Sequence, residues 1–338
     1  MPSRLLEWYD RHARQLPWRV GPAERAQGVR PDPYRVWLAE IMLQQTTIPH
    51  GTPYFLRFTE RWPTVDDLAA AADEDVMAAW AGLGYYARAR NLLKCARIVS
   101  EKVGFPTTAK DLQKLPGIGP YTSGAIAALA FGERASAVDG NVERVVSRLL
   151  ALDLVLKEAK TIIRTAVDAL VPDDKPAEFA EAMMDLGATI CTPKSPDCLI
   201  CPLRDLCAAH AMGQPDAYPK KAPKTEKPKR YGHVFLLRSD GQLLLERRPE
   251  TGLLGGMLGL PSSEWQRDVP KEMTASDAPI NANWQERGEV RHVFTHFALF
   301  LTVWEADTSD RDVEGIWVEE DQIEGLPSVF AKAVKQLS

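Results

Sequence analysis

Four of the five cysteines fall within 17 residues, as Cys191-x6-Cys198-x2-Cys201-x5-Cys207, while Cys95 stands alone in an apolar helical stretch. An odd count clustered this way argues against a secreted disulfide framework and for a metal or cluster site in a reducing compartment. Interleaved with Pro193, Pro196 and Pro202, four thiolates can wrap one centre at little loop-closure cost. A four-cysteine zinc site is one occupant; an iron–sulfur cluster is the other, and zinc sites more often pair two Cys-x2-4-Cys knuckles across a longer gap. A second chemical signal is Leu115-Pro-Gly-Ile-Gly119 directly ahead of a helix. Gly117 and Gly119 leave backbone N–H groups uncovered at the positive end of that helix, a place where a phosphate can approach, although the same pattern also makes a plain tight turn. Some 20 residues on, Ala137-Val-Asp-Gly-Asn141 sets a carboxylate, Asp139, in a turn before a basic amphipathic helix carrying Arg144 and Arg148; as a bare motif it is also an ordinary helix cap.

These groups must be positioned by a chain of 338 residues, long enough for two domains that each bury a core. Up to about residue 212 the apolar residues recur at three- and four-residue steps, predicting helices over 34–46, 65–80, 86–103, 121–131, 142–152, 161–170 and 179–190. From Tyr231 the period changes to two, over 233–238, 242–247 and 292–304, with Ser239-Asp-Gly241 predicting a hairpin turn. The expected organisation is an all-α domain over 1–212, a linker over 213–230 and an α+β domain over 231–338. The linker is read as extended and solvated: Lys220, Lys221, Lys224, Lys227, Lys229 and Arg230 face only Glu226, with prolines at 219, 223 and 228. Residues 1–231 carry a net +3 and the remainder −8, so any grip on a polyanion is expected mainly from the first part and the linker. The longest apolar run, Ala125 to Phe131, is too short to span a bilayer, and the N-terminus lacks a signal-peptide core, which predicts a cytoplasmic protein.

The Leu-Pro-Gly-x-Gly hairpin, the Val-Asp-Gly-Asn-Val turn and the cysteine loop together resemble the endonuclease III superfamily, the helix-hairpin-helix DNA glycosylases with a [4Fe-4S] cluster on four cysteines. Leu16-Pro-Trp-Arg19, the segment Asp32 to Thr46, Gly82-Leu-Gly-Tyr-Tyr-Ala-Arg-Ala-Arg-Asn91 and Ala182-Met-Met-Asp-Leu-Gly187 further resemble the adenine DNA glycosylases of the MutY type. The likeness runs almost continuously from residue 4 to 212. An apparent insertion between Arg19 and Asp32 departs from it and is expected to lengthen a surface loop without touching the chemistry. The resemblance implies removal of adenine mispaired with 8-oxoguanine or guanine in double-stranded DNA, by a monomer working in the bacterial nucleoid.

Breaking an N-glycosidic bond builds oxocarbenium character on the sugar and negative charge on the departing base, so the site needs one protonated acid and one carboxylate anion. Glu40 lies in the otherwise apolar stretch Val36 to Leu43, where desolvation favours the neutral acid able to protonate the purine at N7. Asp139, beside a helix N-terminus and Asn141, is expected to stay ionised near C1′. Strand-cutting relatives hold a lysine where this chain has Tyr121; a phenol cannot form a Schiff base, so a monofunctional enzyme leaving an abasic site is expected, with Tyr121 hydrogen-bonded to Asp139 or Glu40. The resemblance also places Gln44, Gln45 and Tyr85 in the gap left by the flipped base, Trp18 and Arg19 in its pocket, and Glu181 at its edge.

In the second domain, Arg247 to Pro261 resembles the Nudix-like domain of these enzymes, though Leu258-Gly-Leu260 departs from a more aromatic pattern. Ser262 to Ala275 lacks the Arg-Glu-x-x-Glu-Glu helix that would hold magnesium, and Pro270 interrupts it, so binding without hydrolysis is expected. Phe294-Thr295-His296 matches the family's 8-oxoguanine-sensing loop, with Thr295 where Ser is common; read by period alone it is a strand with Phe294 buried. Two other functions stay open at this point: a glycosylase with lyase activity on oxidised pyrimidines, and a non-catalytic iron–sulfur DNA-binding module.

Overall fold

The structure, a computed structural model, describes residues 1–223, 226–249, 252–268, 276–323 and 326–335. Lys224 of the expected linker, Glu250 and Thr251 of the Nudix-like segment, and residues 269–275 with Pro270 lie outside the described residues. The chain divides into two compact units, Met1–Pro223 and Lys224–Ser338.

The first unit is helical: α1 (Pro2–His12), α2 (Pro22–Ala26), α3 (Pro33–Met42), α4 (Ile48–Arg61), α5 (Val65–Ala70), α6 (Asp73–Ala79), α7 (Ala87–Glu101), α8 (Ala109–Leu112), α9 (Pro120–Phe131), α10 (Gly140–Leu149), α11 (Leu156–Leu170), α12 (Pro176–Thr189) and α13 (Ala208–Ala211). At its centre lie α9 and α12, whose side chains are buried almost all round, over Thr122 to Leu129 and Phe179 to Gly187. Such helices have no solvent face. Around them pack α3, α10 and α1. The single stretch expected over 65–80 is two helices, because the Thr64–Asp67 capping box starts one and Ala71–Ala72 turns extended before the next. Helix α4 was not expected: Pro49, Gly51 and Pro53 hide it. Gly51 lets α4 pack close to α3, a Cβ there standing 2.9 Å from the tip of the Leu43 side chain.

Part of the expected linker belongs to the first unit. Lys220 forms a parallel bridge with Val155 and an ion pair with Asp153 at 3.2 Å, and the Tyr218 carbonyl accepts from Arg148 Nε at 3.1 Å. Its far end, Lys229 and Arg230, is already strand. Lys220 is drawn to the first unit by its acidic partner, while Lys221, Lys227, Lys229 and Arg230 stay exposed.

The second unit is a mixed sheet of β1 (Lys229–Ser239), β2 (Gln242–Arg247), β3 (Leu258–Gly259), β4 (Gln285–Val293), β5 (Ala298–Asp307) and β6 (Ile316–Glu319), followed by α14 (Ser328–Lys335). The order is β3-β2-β1-β5-β4, with β6 also on β2, and only β1 and β5 run parallel. Asp240 and Gly241 both take positive φ, which makes the expected tight hairpin. Val234, Leu236, Leu299 and Leu301 face a core closed by Phe330, while Leu237, Leu244 and Ala306 face Trp284 and Trp317. The period-two run 292–304 is not one strand. The Phe294 N–H donates to the Phe297 carbonyl at 2.9 Å, and that turn separates β4 from β5.

Candidate active site

Three helix ends bring the two predicted acids together. Helix α3, capped by Asp32 accepting from the Tyr34 N–H at 2.9 Å, carries Glu40 in its last turn. Tyr121 sits at the second position of α9, two residues after Gly119, and its phenol lies within hydrogen-bonding reach of the Glu40 carboxyl. Asp139 is the N-cap of α10: one oxygen accepts from the Val142 N–H at 2.7 Å and the other from Asn141 Nδ2 at 2.8 Å. Asn141 Oδ1 in turn accepts from Arg144 at 2.9 Å. Gly187 of α12 permits this packing, since a Cβ there would stand 2.6 Å from the Asn141 Cβ.

Glu40 lies deep in the fold yet keeps a part-exposed edge. Burial pushes its carboxyl up to about 7; the Tyr121 hydrogen bond and Arg19 pull it down, and the charges of Asp139 and Glu181 push it further up. A carboxyl so placed holds a proton near neutrality and can hand it over. Burial also holds the Tyr121 phenol well above its ordinary range, which keeps it a donor.

A buried network of charge lies within electrostatic reach of Glu40. Glu181 and Asp185, four residues apart on the buried helix α12, are 1% and 0% exposed. Arg19 Nη1 donates to both Asp185 oxygens at 2.8 and 2.9 Å and its Nε lies 3.6 Å from Glu181. Arg14 Nε donates to Asp185 at 2.6 Å, and the Tyr9 hydroxyl to Glu181 at 2.5 Å. Arg25 completes the set, its Nη2 lying 3.1 Å from each Glu181 oxygen. Arg25 comes from the insertion between Arg19 and Asp32. Far from merely lengthening a surface loop, that segment folds into α2 and delivers a cation to that network. Glu181, expected as a polar contact at the edge of the flipped base, has both oxygens engaged because a buried anion requires partners. Tyr9, Arg14, Arg25 and Asp185 were missed as a network, although two acids at i, i+4 in an apolar helix carry the same signal that marks Glu40.

The other predicted residues lie around this core. Gln44 Nε2 donates to Thr122 Oγ1 at 3.2 Å, beside Tyr121. Gln45 and Tyr85 are exposed, both with positive φ. Trp18 is half-buried, edge-on to Phe55 at 5.1 Å, and shows no polar contact with the acids. Gly117 takes a φ of 76°, and Gly119 has nothing within 4 Å of where a Cβ would stand, so a ligand can approach its backbone. Arg144 and Arg148, read as the cations of a basic amphipathic helix, turn inward. Arg144 Nε donates to the Cys191 carbonyl at 2.7 Å, and Arg148, 2% exposed, donates to Cys191 Sγ at 3.2 Å and the Thr192 carbonyl at 2.7 Å. In the second unit Thr295 and His296 are exposed at the turn, and Phe294 packs with His292, Trp265 and Phe297.

Cys191, Cys198, Cys201 and Cys207 are free thiols within electrostatic reach of one another. Among the described residues no three His, Cys, Asp or Glu side chains are grouped to hold a metal ion. The four thiols and the guanidinium that Arg148 sets on Cys191 Sγ would suit an iron–sulfur cluster once the thiolates turn toward it, Arg148 offsetting its charge.

Comparison with known proteins follows the same division. Residues 38–170 match the HhH-GPD superfamily of base excision DNA repair proteins, 191–207 the iron-sulfur binding domain of endonuclease III, and 233–337 the NUDIX domain. The adenine DNA glycosylase of Homo sapiens is 35% identical over 360 residues, covering 89% of this chain, which spans 65% of that protein's length. That of Mus musculus is also 35% identical, with 89% and 69% covered. A thermostable thymine-DNA glycosylase structure superposes with a TM-score of 0.55 and 28% identity, over 62% of this chain and 95% of its own. The cysteine loop is therefore a [4Fe-4S] binding loop, and the fold is a helix-hairpin-helix glycosylase unit followed by a Nudix-like unit.

Proposed function

Since the chain belongs to the adenine DNA glycosylase family, we propose that it hydrolyses the N-glycosidic bond of adenine opposite 8-oxoguanine or guanine in duplex DNA, as a monomer, and leaves the strand intact. The observation that carries this reading is the convergence of Glu40, Tyr121 and Asp139, with a phenol standing where lyase chemistry needs an amine.

Glu40, neutral at its raised pKa, donates its proton to the purine as the C1′–N bond breaks, so that the base departs uncharged. Tyr121 orients the Glu40 carboxyl through its hydrogen bond. Asp139, held by the Val142 N–H and Asn141, sets a negative charge against the developing oxocarbenium ion. Water then adds at C1′ and passes a proton to the Glu40 carboxylate, restoring the acid, and the products are free adenine and an abasic sugar. Gln44, Gln45 and Tyr85 occupy the vacated stack, Trp18, Arg19 and Glu181 shape the base pocket, and the Gly117 and Gly119 amides take a phosphate. In the second unit Phe294, Thr295 and His296 read the partner base, and that unit binds without hydrolysing. When bound, the [4Fe-4S] cluster supplies four iron–thiolate bonds that close the 191–207 loop.

Single-turnover assays on duplexes carrying adenine opposite 8-oxoguanine, guanine or thymine, and on thymine glycol, test the reading. Adenine should leave the first two, strand breaks should require alkali, and borohydride should trap nothing. Untouched adenine, or a trapped adduct, would refute it.

A further inference from the structure

We propose that Arg88 is a positioning residue that couples the duplex-facing rim of the site to the helix carrying the general acid. The meaning given to the rim rests on the glycosylase reading; the coupling itself rests on geometry.

The last turn of a helix presents carbonyls that need donors and favour a cation. In α3 that turn also holds Glu40. Arg88, in the first turn of α7, points its guanidinium there: Nη1 donates to the carbonyls of Ile41 at 3.1 Å, Met42 at 3.0 Å and Gln44 at 2.5 Å. Its second terminal nitrogen, Nη2, donates to the carbonyls of Leu83 at 2.9 Å and Gly84 at 3.3 Å, and to Thr46 Oγ1 at 3.4 Å. One planar group thus fastens two separate segments.

Each segment ends in an exposed residue with left-handed backbone, Gln45 at φ 58° and Tyr85 at φ 50°. Neither residue type favours that region, and such conformations persist where the surroundings over-determine them. Arg88 binds the carbonyl directly before each, those of Gln44 and Gly84. The guanidinium also lies 5.3 Å from the Trp80 ring centroid and 5.6 Å from that of Tyr85. Gln45 and Tyr85 are therefore presented as a rigid pair, and a load placed on them by a duplex reaches the turn that bears Glu40. A lysine in the same place would be a point donor on a flexible stem, able to serve one segment and not both.

The test uses the iron-loaded full chain and a duplex with 2-aminopurine in place of the target adenine opposite 8-oxoguanine. In a Glu40→Gln background, where excision is blocked, a rise in 2-aminopurine fluorescence reports the base leaving the stack. We expect Arg88→Met to cut that rise at least fivefold and Arg88→Lys to give an intermediate value with melting changed by only a few degrees. In the chain with Glu40 intact, Arg88→Lys should slow single-turnover excision at least fivefold. Fluorescence and excision equal to the parent in Arg88→Lys, with only melting affected, would overturn the proposal, and that variant decides alone if Arg88→Met does not fold. Should the unsubstituted chain release no adenine, the glycosylase reading fails and takes this inference with it; adenine release at the native rate by Arg88→Lys sinks the inference alone.

Discussion

Replacing Glu40 by Gln separates what the acid does for the reaction from what it does to the fold. The carboxyl rises from an ordinary value of 4.5 to about 7. Below the ordinary value the folded and unfolded chains both hold the proton. Between the two values only the folded chain does, and above about 7 the folded chain must house a buried anion. The stability contributed by the neutral acid is therefore fully present below the ordinary value and lost as pH rises through about 7. At roughly 1.4 kcal/mol per pKa unit, the loss is about 3 kcal/mol. Glutamine stays neutral throughout and still offers Tyr121 an acceptor. The variant should thus lie within about 1 kcal/mol of the native chain near about pH 5 and resist unfolding by about 3 kcal/mol more near about pH 8. Urea unfolding followed by the visible absorbance of the iron–sulfur chromophore reports the first unit specifically. A gap between the two proteins that stays constant from about pH 5 to about pH 8 would refute the reasoning. Excision should move the other way: Glu40→Gln loses roughly 10²- to 10⁴-fold, and the native rate drops about tenfold between about pH 6 and about pH 8 as the acid form is titrated away.

Asp139→Asn and Asp139→Ala should both abolish adenine release, but only Ala should also lower stability, by about 1 kcal/mol, because Asn still caps α10; thermal melts of the pair check the difference. Gly187→Ala pushes a methyl into Asn141 and should slow single-turnover excision by roughly 10²-fold with only a modest change in melting. Arg25→Met strips Glu181 of one of its buried partners and should cost about 1–3 kcal/mol in urea unfolding. Adding Glu181→Gln should recover part of that loss, whereas an Arg25→Met chain as stable as the native one would show α2 to be a mere surface loop.

Where one dimension encodes a local rule, the sequence was legible. Glu40 stands out as a charge in an apolar helix, Asp139 as a cap, and the hairpin at Asp240-Gly241 as a turn that needs two positive φ values. Motifs outran periodicity for the cysteine loop, whose short spacing survives any fold. What could not be read depends on direction in space. Arg144 and Arg148 lie on a basic amphipathic helix, and nothing in that pattern says that its cations point at thiols and carbonyls and not at phosphates. Arg25 sits in a stretch with no apolar period, so its delivery to Glu181 emerges only when α2 forms. Helix α4 is hidden by two prolines and a glycine; Pro49 falls in its first turn, where no backbone N–H is needed, but Pro53 lies inside it. The 292–304 run alternates faithfully, yet a single backbone hydrogen bond at Phe294 folds it into two strands.

Asp139 begins a helix whose arginines end on Cys191, with Asn141 and Arg144 standing between. Wearing away at either end of that short relay is felt at the other. On the proposed reading, loss of metal would loosen the turn that holds Asp139, and a change at Asn141 would loosen the hold on Cys191.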